Sequence, residues 1–260
     1  MKTPLSGAGV IITRPAGQCE ALAEMVEQAG GRPLILPSMS IQPAPAASRW
    51  PEELQPISRY QFIIFISQNA VRLGAHYLVH STAELAAVGP STARGLEALG
   101  HPVSISPSEG FTSEALLKHP SLQNLKDQQV LIVRGVGGRE LLAQGLQARG
   151  AKVDYLEVYC RSQAQISRDH LDQVRELLAA GKVRFVTATS VQTLENTLQL
   201  LGPEAIRLLQ SAQLVSASDR VVEMAGELGI ATAEPAPGPS DQDLLQHMLQ
   251  LSAKQASENQ

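Results

Sequence analysis

Aromatic side chains are scarce in this chain. Phe, Trp and Tyr make up 3% of it, too few to build the stacking platforms that hold single-stranded nucleic acid. Basic clusters are missing as well. With 21 Lys and Arg against 25 Asp and Glu, a formal net charge of −4 and no Lys/Arg block, it shows no electrostatic footprint for DNA or RNA. Cysteine is limited to Cys19 and Cys160, far apart and outside any C-x-x-C pair, which points to two reduced thiols rather than a disulfide framework. No apolar run approaches a membrane span, and the opening MKTPLSGAG passes straight into a strand-like GVIIT without a secretory core or cleavage site. The expectation is a cytoplasmic protein that engages neither nucleic acid nor membrane.

What is present is a repeated pattern. At 260 residues and 43% hydrophobic content, two domains can each bury a core. The stretch YQFIIFISQNAV, Tyr60 to Val71, is an apolar run that stops at Ser67-Gln68-Asn69 and turns at once into a helical pattern, a strand followed by a capped helix. RFVTATSVQTL, Arg184 to Leu194, repeats it at an offset of 123. VIITRPAGQCEALAEMVEQAG (Val10 to Gly30) lies on VLIVRGVGGRELLAQGLQARG (Val130 to Gly150) at an offset of 120, with Val10/Val130, Ile12/Ile132, Arg14/Arg134, Gly17/Gly137, Glu20/Glu140, Leu22/Leu142, Ala23/Ala143 and Gly30/Gly150 identical. LAAVGPSTARGLEALG (Leu85 to Gly100) lies on LVSASDRVVEMAGELG (Leu214 to Gly229) at 129. The drift reflects small loop insertions in an otherwise duplicated chain.

Strands are expected near 9–13, 33–37, 62–66, 85–88, 102–105, 130–133, 152–157, 184–188, 213–217 and 229–232, with helices between them and a frayed tail over 252–260. The last helix is placed at 240–251. Alternating strands and helices imply an α/β fold of parallel sheets with helices on both faces. Pro37 to Pro45 and Glu157 to Gln165 break the pattern at matching places and look like connections between domains. If both cross, the first βαβ unit of each repeat packs with the remainder of the other.

Function in such sheets belongs to the carboxyl edge. The turns expected there are Thr13-Arg14, Ser67-Gln68-Asn69, Gly89-Pro90-Ser91-Thr92, Arg134 to Arg139, Thr189-Ser190 and Ser216-Ala217-Ser218. Their free N–H groups and positive helix ends suit a ligand with many carboxylates, although Ser, Thr and Asn are also plain helix caps. Sharper motifs fail. Gly135-x-Gly137 is followed by Glu140 where a dinucleotide fingerprint needs glycine, and Gly89-Pro90-Ser91-Thr92-Ala93 lacks the last glycine of a nucleophile elbow. His76 and His80, four apart, have no accompanying acid or third ligand and read as a solvated helix face.

Taken together, Thr13-Arg14-Pro15, FISQNAV at Phe65 to Val71, AVGPSTARGLEALG at Ala87 to Gly100, SEALL at Ser113 to Leu117 and the block from Val130 to Arg161, ending V-Y-x-R, resemble the uroporphyrinogen-III synthase family from about Val10 to Leu249. The resemblance implies a cofactor-free lyase of tetrapyrrole biosynthesis that cyclises hydroxymethylbilane through an azafulvene and a spiro intermediate, inverting ring D and losing water. It implies two similar parallel-sheet α/β/α domains from a tandem duplication, joined by a two-stranded connection with the site in the cleft. The first domain is expected at 1–38 plus 163–260, the second at 45–156, and the connections at 39–44 and 157–162.

By the same resemblance Tyr159, whose counterpart in the first repeat is Met39, is the expected proton donor to the departing hydroxyl. The expected substrate-binding set is Arg14, Ser67, Asn69, Thr92, Ser113, Arg134, Gly135, Gly138, Arg139, Ser190 and Ser218. Where the family often keeps a turn threonine in the second repeat, this chain has Val221. The substrate partner is hydroxymethylbilane, delivered by the preceding pathway enzyme, to a monomer. The alternative from another class is a non-catalytic two-domain binding module for a polycarboxylate or tetrapyrrole, which would close on its ligand without changing it.

Overall fold

The computed structural model describes residues 4–231 and 235–258. Its elements begin with β1 (Gly9–Ile12), α1 (Glu20–Gln28), β2 (Arg32–Ile35), β3 (Met39–Pro43), β4 (Phe62–Phe65), α2 (Gln68–Gly74) and β5 (Glu84–Ala87). They continue with α3 (Pro90–Ala98), α4 (Ser113–Leu116), β6 (Gln129–Gly135), α5 (Leu141–Gln147), β7 (Lys152–Gln163) and α6 (Arg168–Ala179). The last are β8 (Val183–Thr187), α7 (Val191–Leu201), α8 (Ala205–Leu209), β9 (Gln213–Val215), α9 (Asp219–Glu227) and α10 (Asp241–Glu258). The chain divides into two units, one built from Met1–Ser40 and Ser162–Gln260, the other from Ile41–Arg161.

The first unit has a sheet in the order β2-β1-β8-β9, with every pairing parallel. Side chains alternate across a strand, so neighbouring residues feed opposite layers. Ile11 packs with Val174, Leu178, Leu194, Leu209 and Val221 of the helices on one face. Val10 and Ile12 pack with Leu22, Val26, Leu244 and Met248 of α1 and α10 on the other. A sheet covered on both faces in this way has near-continuous apolar strands, as GVII of β1 is.

The second unit repeats that logic in a sheet ordered β3-β7-β6-β4-β5. Ile63, Phe65, Leu131 and Val133 pack against α2 and α3, while Ile64, Val130 and Ile132 pack against Leu116, Leu142 and Leu146. Every βα turn that follows β4, β5 or β6 therefore opens at one edge of this sheet.

Several expectations are corrected. Residues 102–105 contribute only an isolated bridge, Ile105 to Ala86, because Pro102 has no N–H to donate at the sheet border. The expected strands lacked Met39–Pro43, which is a strand beside β7, and stopped at 157, whereas β7 runs to Gln163; both stretches lie in the expected two-stranded connection. The first helix, expected over 17–29 from the pattern after β1, starts at Glu20, since Gly17 holds a φ of +76° outside the helical range. His76 and His80 lie on a 3-10 segment, Ala75–His80, where residues four apart do not align. Gly229 to Ala231 are not strand, and Thr232 lies outside the described residues. The tail is helical as far as Glu258, with 259–260 outside the described residues. Among the described residues no helix is long and apolar enough to cross a membrane.

Candidate active site

The edge of the second unit's sheet is shaped by a register shift. β6 and β7 pair in step until Arg134↔Glu157, after which Gly135 faces Tyr159. The bulge re-aims one side chain, as such bulges do, and Val136 N–H closes it on the Tyr159 carbonyl at 2.7 Å. The Tyr159 ring lies directly over Gly135: a Cβ there would stand 2.4 Å from Cε2. Tyr159 is fully buried. Its hydroxyl is 3.1 Å from Ser67 Oγ and receives an Arg161 guanidinium N–H at 3.2 Å. Arg161, exposed to solvent, also covers the ring, with Cζ 5.6 Å from its centre.

Ser67 is placed by the end of β4. Extended at φ −162°, it caps α2 by accepting the Ala70 N–H at 3.2 Å. Asn69 follows in the first turn of α2, half-buried. Thr92, in the first turn of α3, is buried, and Ser113 follows Thr112, whose hydroxyl caps α4.

A cavity of about 300 Å³ opens at this edge, lined among others by Ser113, Arg134, Gly135, Gly138, Arg139 and Arg161. Gly138 turns the loop with φ +114°, a conformation open to glycine and strained for other residues. Arg139 is exposed. Arg134 is buried and already engaged: it meets Glu140 at 3.3 Å and Glu157 at 3.7 Å, donates to the Gly135 carbonyl at 3.2 Å, and lies 4.4 Å over the Tyr155 ring. Tyr155 in turn donates to Glu140. That hydrogen bond, then Arg134, holds the Glu140 carboxyl below the usual carboxylate range, while burial and then Glu140 push the Tyr155 phenol up to about 12. Arg134 is thus a brace for the loop, and Arg139 and Arg161 are the exposed guanidiniums at the cavity.

An adjoining cavity of about 620 Å³ shares Val136 and Tyr155 but carries Glu52, Glu53 and Glu157, with Arg49 paired to Glu52. Carboxylate ligands favour the first cavity, where cations outnumber acids.

In the other unit Arg14 is held by Asp241 at 2.7 Å and by the Pro239 carbonyl at 2.7 Å. Ser190 caps α7 through Thr193 N–H at 3.1 Å, and Ser218 precedes α9 with its own N–H on Ser216 Oγ at 3.1 Å. Val221 is wholly buried among the helices of that unit's core. Sequence reasoning gave no role to Arg161, although it closes the V-Y-x-R motif, and none to Glu140, Tyr155 or Glu157. Their contacts depend on how β6 pairs with β7 and on the turn of the loop after β6, which leave no mark in the sequence.

The family model described as uroporphyrinogen-III synthase HemD matches residues 20–246. A uroporphyrinogen-III synthase of Escherichia coli is 29% identical over 93% of this chain and 99% of that protein, and one of Salmonella typhimurium is 30% identical over the same shares. In fold, the chain is similar to a mutant uroporphyrinogen III synthase of Thermus thermophilus with a TM-score of 0.63, 17% identity, and 96% and 100% of the two chains covered. It is similar to the Helicobacter pylori uroporphyrinogen-III synthetase with a TM-score of 0.60 and 18% identity, over 94% and 99%.

Proposed function

The chain belongs to the uroporphyrinogen-III synthase family, and from that premise we propose how its residues divide the work. The enzyme is a cyclising hydro-lyase that converts hydroxymethylbilane to uroporphyrinogen III in heme biosynthesis. Ring D inverts, whereas the free substrate closes without inversion. The protein must therefore hold the two ends of a flexible chain in the less accessible geometry, a positioning effect able to supply several kcal/mol, and it must help the hydroxyl leave.

Tyr159 supplies that proton. The observation carrying this reading is its buried hydroxyl, gripped by Ser67 and by Arg161, which lines the cavity. Carboxylates of the substrate are taken up by Arg139, by the Ser113 and Thr92 turns, by Asn69, and by backbone N–H groups of the Gly135 to Gly138 loop. Turns at Ser190 and Ser218 bind further carboxylates, and Arg14 and Arg134 position the turns they brace. The enzyme works in the cytoplasm as a monomer fed by the preceding pathway enzyme.

Domain boundaries follow the tandem duplication, at 1–38 plus 163–260, 45–156, and connections 39–44 and 157–162. The sheet registers support it. Val10 pairs with Phe185 as Val130 pairs with Phe62, Val10 with Pro33 as Val130 with Val153, and Phe185 with Gln213 as Phe62 with Glu84. Each matched residue sits at the offset seen in the sequence, so each sheet joins the first βαβ of one repeat to the remainder of the other.

The test is Tyr159→Phe. Loss of about a hundredfold or more in turnover with an unchanged circular dichroism spectrum supports the assignment; full activity removes Tyr159 from the chemistry.

A further inference from the structure

The Tyr159 hydroxyl has one proton to donate and lone pairs to accept with. A guanidinium only donates, so Arg161 occupies the Tyr159 oxygen as an acceptor at 3.2 Å. The phenolic proton then needs an acceptor of its own, because a fully buried hydroxyl left unsatisfied is costly. Among the described residues that acceptor is Ser67 Oγ, at 3.1 Å. Ser67 Oγ thus accepts twice, from Tyr159 and from the Ala70 N–H at 3.2 Å. Its own proton has no partner among the described residues. Ser67 is half-buried where Tyr159 is fully buried, so the hydroxyl able to meet a substrate is the serine's.

We propose that Ser67 is the catalytic residue that touches the leaving hydroxyl, and that Tyr159 acts through it as a buried proton reserve whose direction Arg161 sets. This rests on the assignment of Tyr159 as the proton source and refines it. In the step, Ser67 O–H protonates the departing oxygen, the carbon–oxygen bond breaks with the pyrrole electron pair forming the azafulvene, and water leaves. Ser67 recovers a proton from Tyr159 in the same event, leaving a phenolate beside the Arg161 cation. The proton shed when the closing carbon regains its aromatic pyrrole returns to the phenolate. The cycle consumes and releases one proton and needs no further reactant.

The experiment compares Ser67→Ala, Ser67→Thr, Tyr159→Phe and the Ser67→Ala/Tyr159→Phe double variant by single-turnover kinetics, with product isomers separated. Ser167→Ala, which removes the serine cap of α6 elsewhere in the chain, reports what a lost cap alone does. Members of one relay are non-additive. The relay predicts that each single variant loses about a hundredfold in kcat rather than in KM, that the double variant is no slower than the worse single one, and that Ser67→Thr keeps most of the rate. In mixed light and heavy water the wild-type rate should bow downward, as two protons moving together require.

Ser67→Ala at near wild-type rate beside a crippled Tyr159→Phe would overturn the relay and leave Tyr159 acting directly. Losses that multiply in the double variant, or a straight isotope plot, would also overturn it. Wild-type speed in both single variants, with type III product, would instead remove the Tyr159 assignment itself.

Discussion

Tyr159 is held in place by what Gly135 lacks. A Cβ at Gly135 would lie 2.4 Å from Cε2 and 2.6 Å from Cζ of the ring, so Gly135→Ala must push the phenol off Ser67. Overpacking of this kind costs about 1–3 kcal/mol, and we expect a lower unfolding midpoint together with a turnover loss approaching that of Tyr159→Phe. An alanine variant with unaltered kinetics would contradict the placement. The two thiols offer an independent check. Burial, then Glu20, pushes the Cys19 thiol up to about 11, and its sulfur sits 3.2 Å from the Arg14 carbonyl. Cys160 is half-buried. At about pH 8, below the ordinary thiol value, alkylation followed by mass spectrometry should label Cys160 and spare Cys19 until denaturant is added; equal labelling would disprove the burial. At this scale the sequence marked Tyr159 by its departure from the repeat, since Met39 stands opposite it. It could not mark Arg161, whose position follows the shift between β6 and β7, or Glu140, which the loop turns back onto Arg134 and Tyr155. Nor did it show that the Val221 side chain belongs to the core.

The loop from Gly135 to Glu140 is an element whose stiffness depends on charge. The Glu140 carboxyl is held below its ordinary value, so its contribution is present above about pH 4.3 and is lost as pH falls through the lowered value. The Tyr155 phenol is held above its ordinary value, so its contribution is present below about pH 10 and is lost as pH rises toward about 12. The brace is intact between those limits. Glu140→Gln removes the charged acceptor, and the Tyr155 phenol should then ionise at lower pH than in wild type, read by ultraviolet absorbance titration. An unshifted titration would show that Glu140 does not hold it. Elements with a capping serine, such as α2 and α7, were legible because Ser67 and Ser190 end an apolar run where a free N–H needs an acceptor. The strand at Met39–Pro43 was not, because its proline content outweighed a pairing partner visible only once β7 is seen to run to Gln163.

At the scale of the molecule the sequence carried more than at either smaller one. Self-comparison gave the offsets, and the register pairs fall on them, as the proposed duplication would have it. One unit is a single continuous stretch, Ile41–Arg161, with cores on both faces of its sheet made from its own residues. A fragment of residues 39–163, keeping β3 and β7 whole, should fold with a cooperative thermal transition by circular dichroism; a non-cooperative melt would show that the unit depends on the rest of the chain. The most direct measurement is of product geometry. Hydroxymethylbilane generated in situ is mixed with the whole protein, the products are oxidised, and the type I and type III uroporphyrin isomers are separated by chromatography. Predominant type III isomer is the predicted result, since only an enzyme that holds ring D inverted can make it; type I alone, from folded protein, would contradict the account and leave a binding module that does not turn its ligand over.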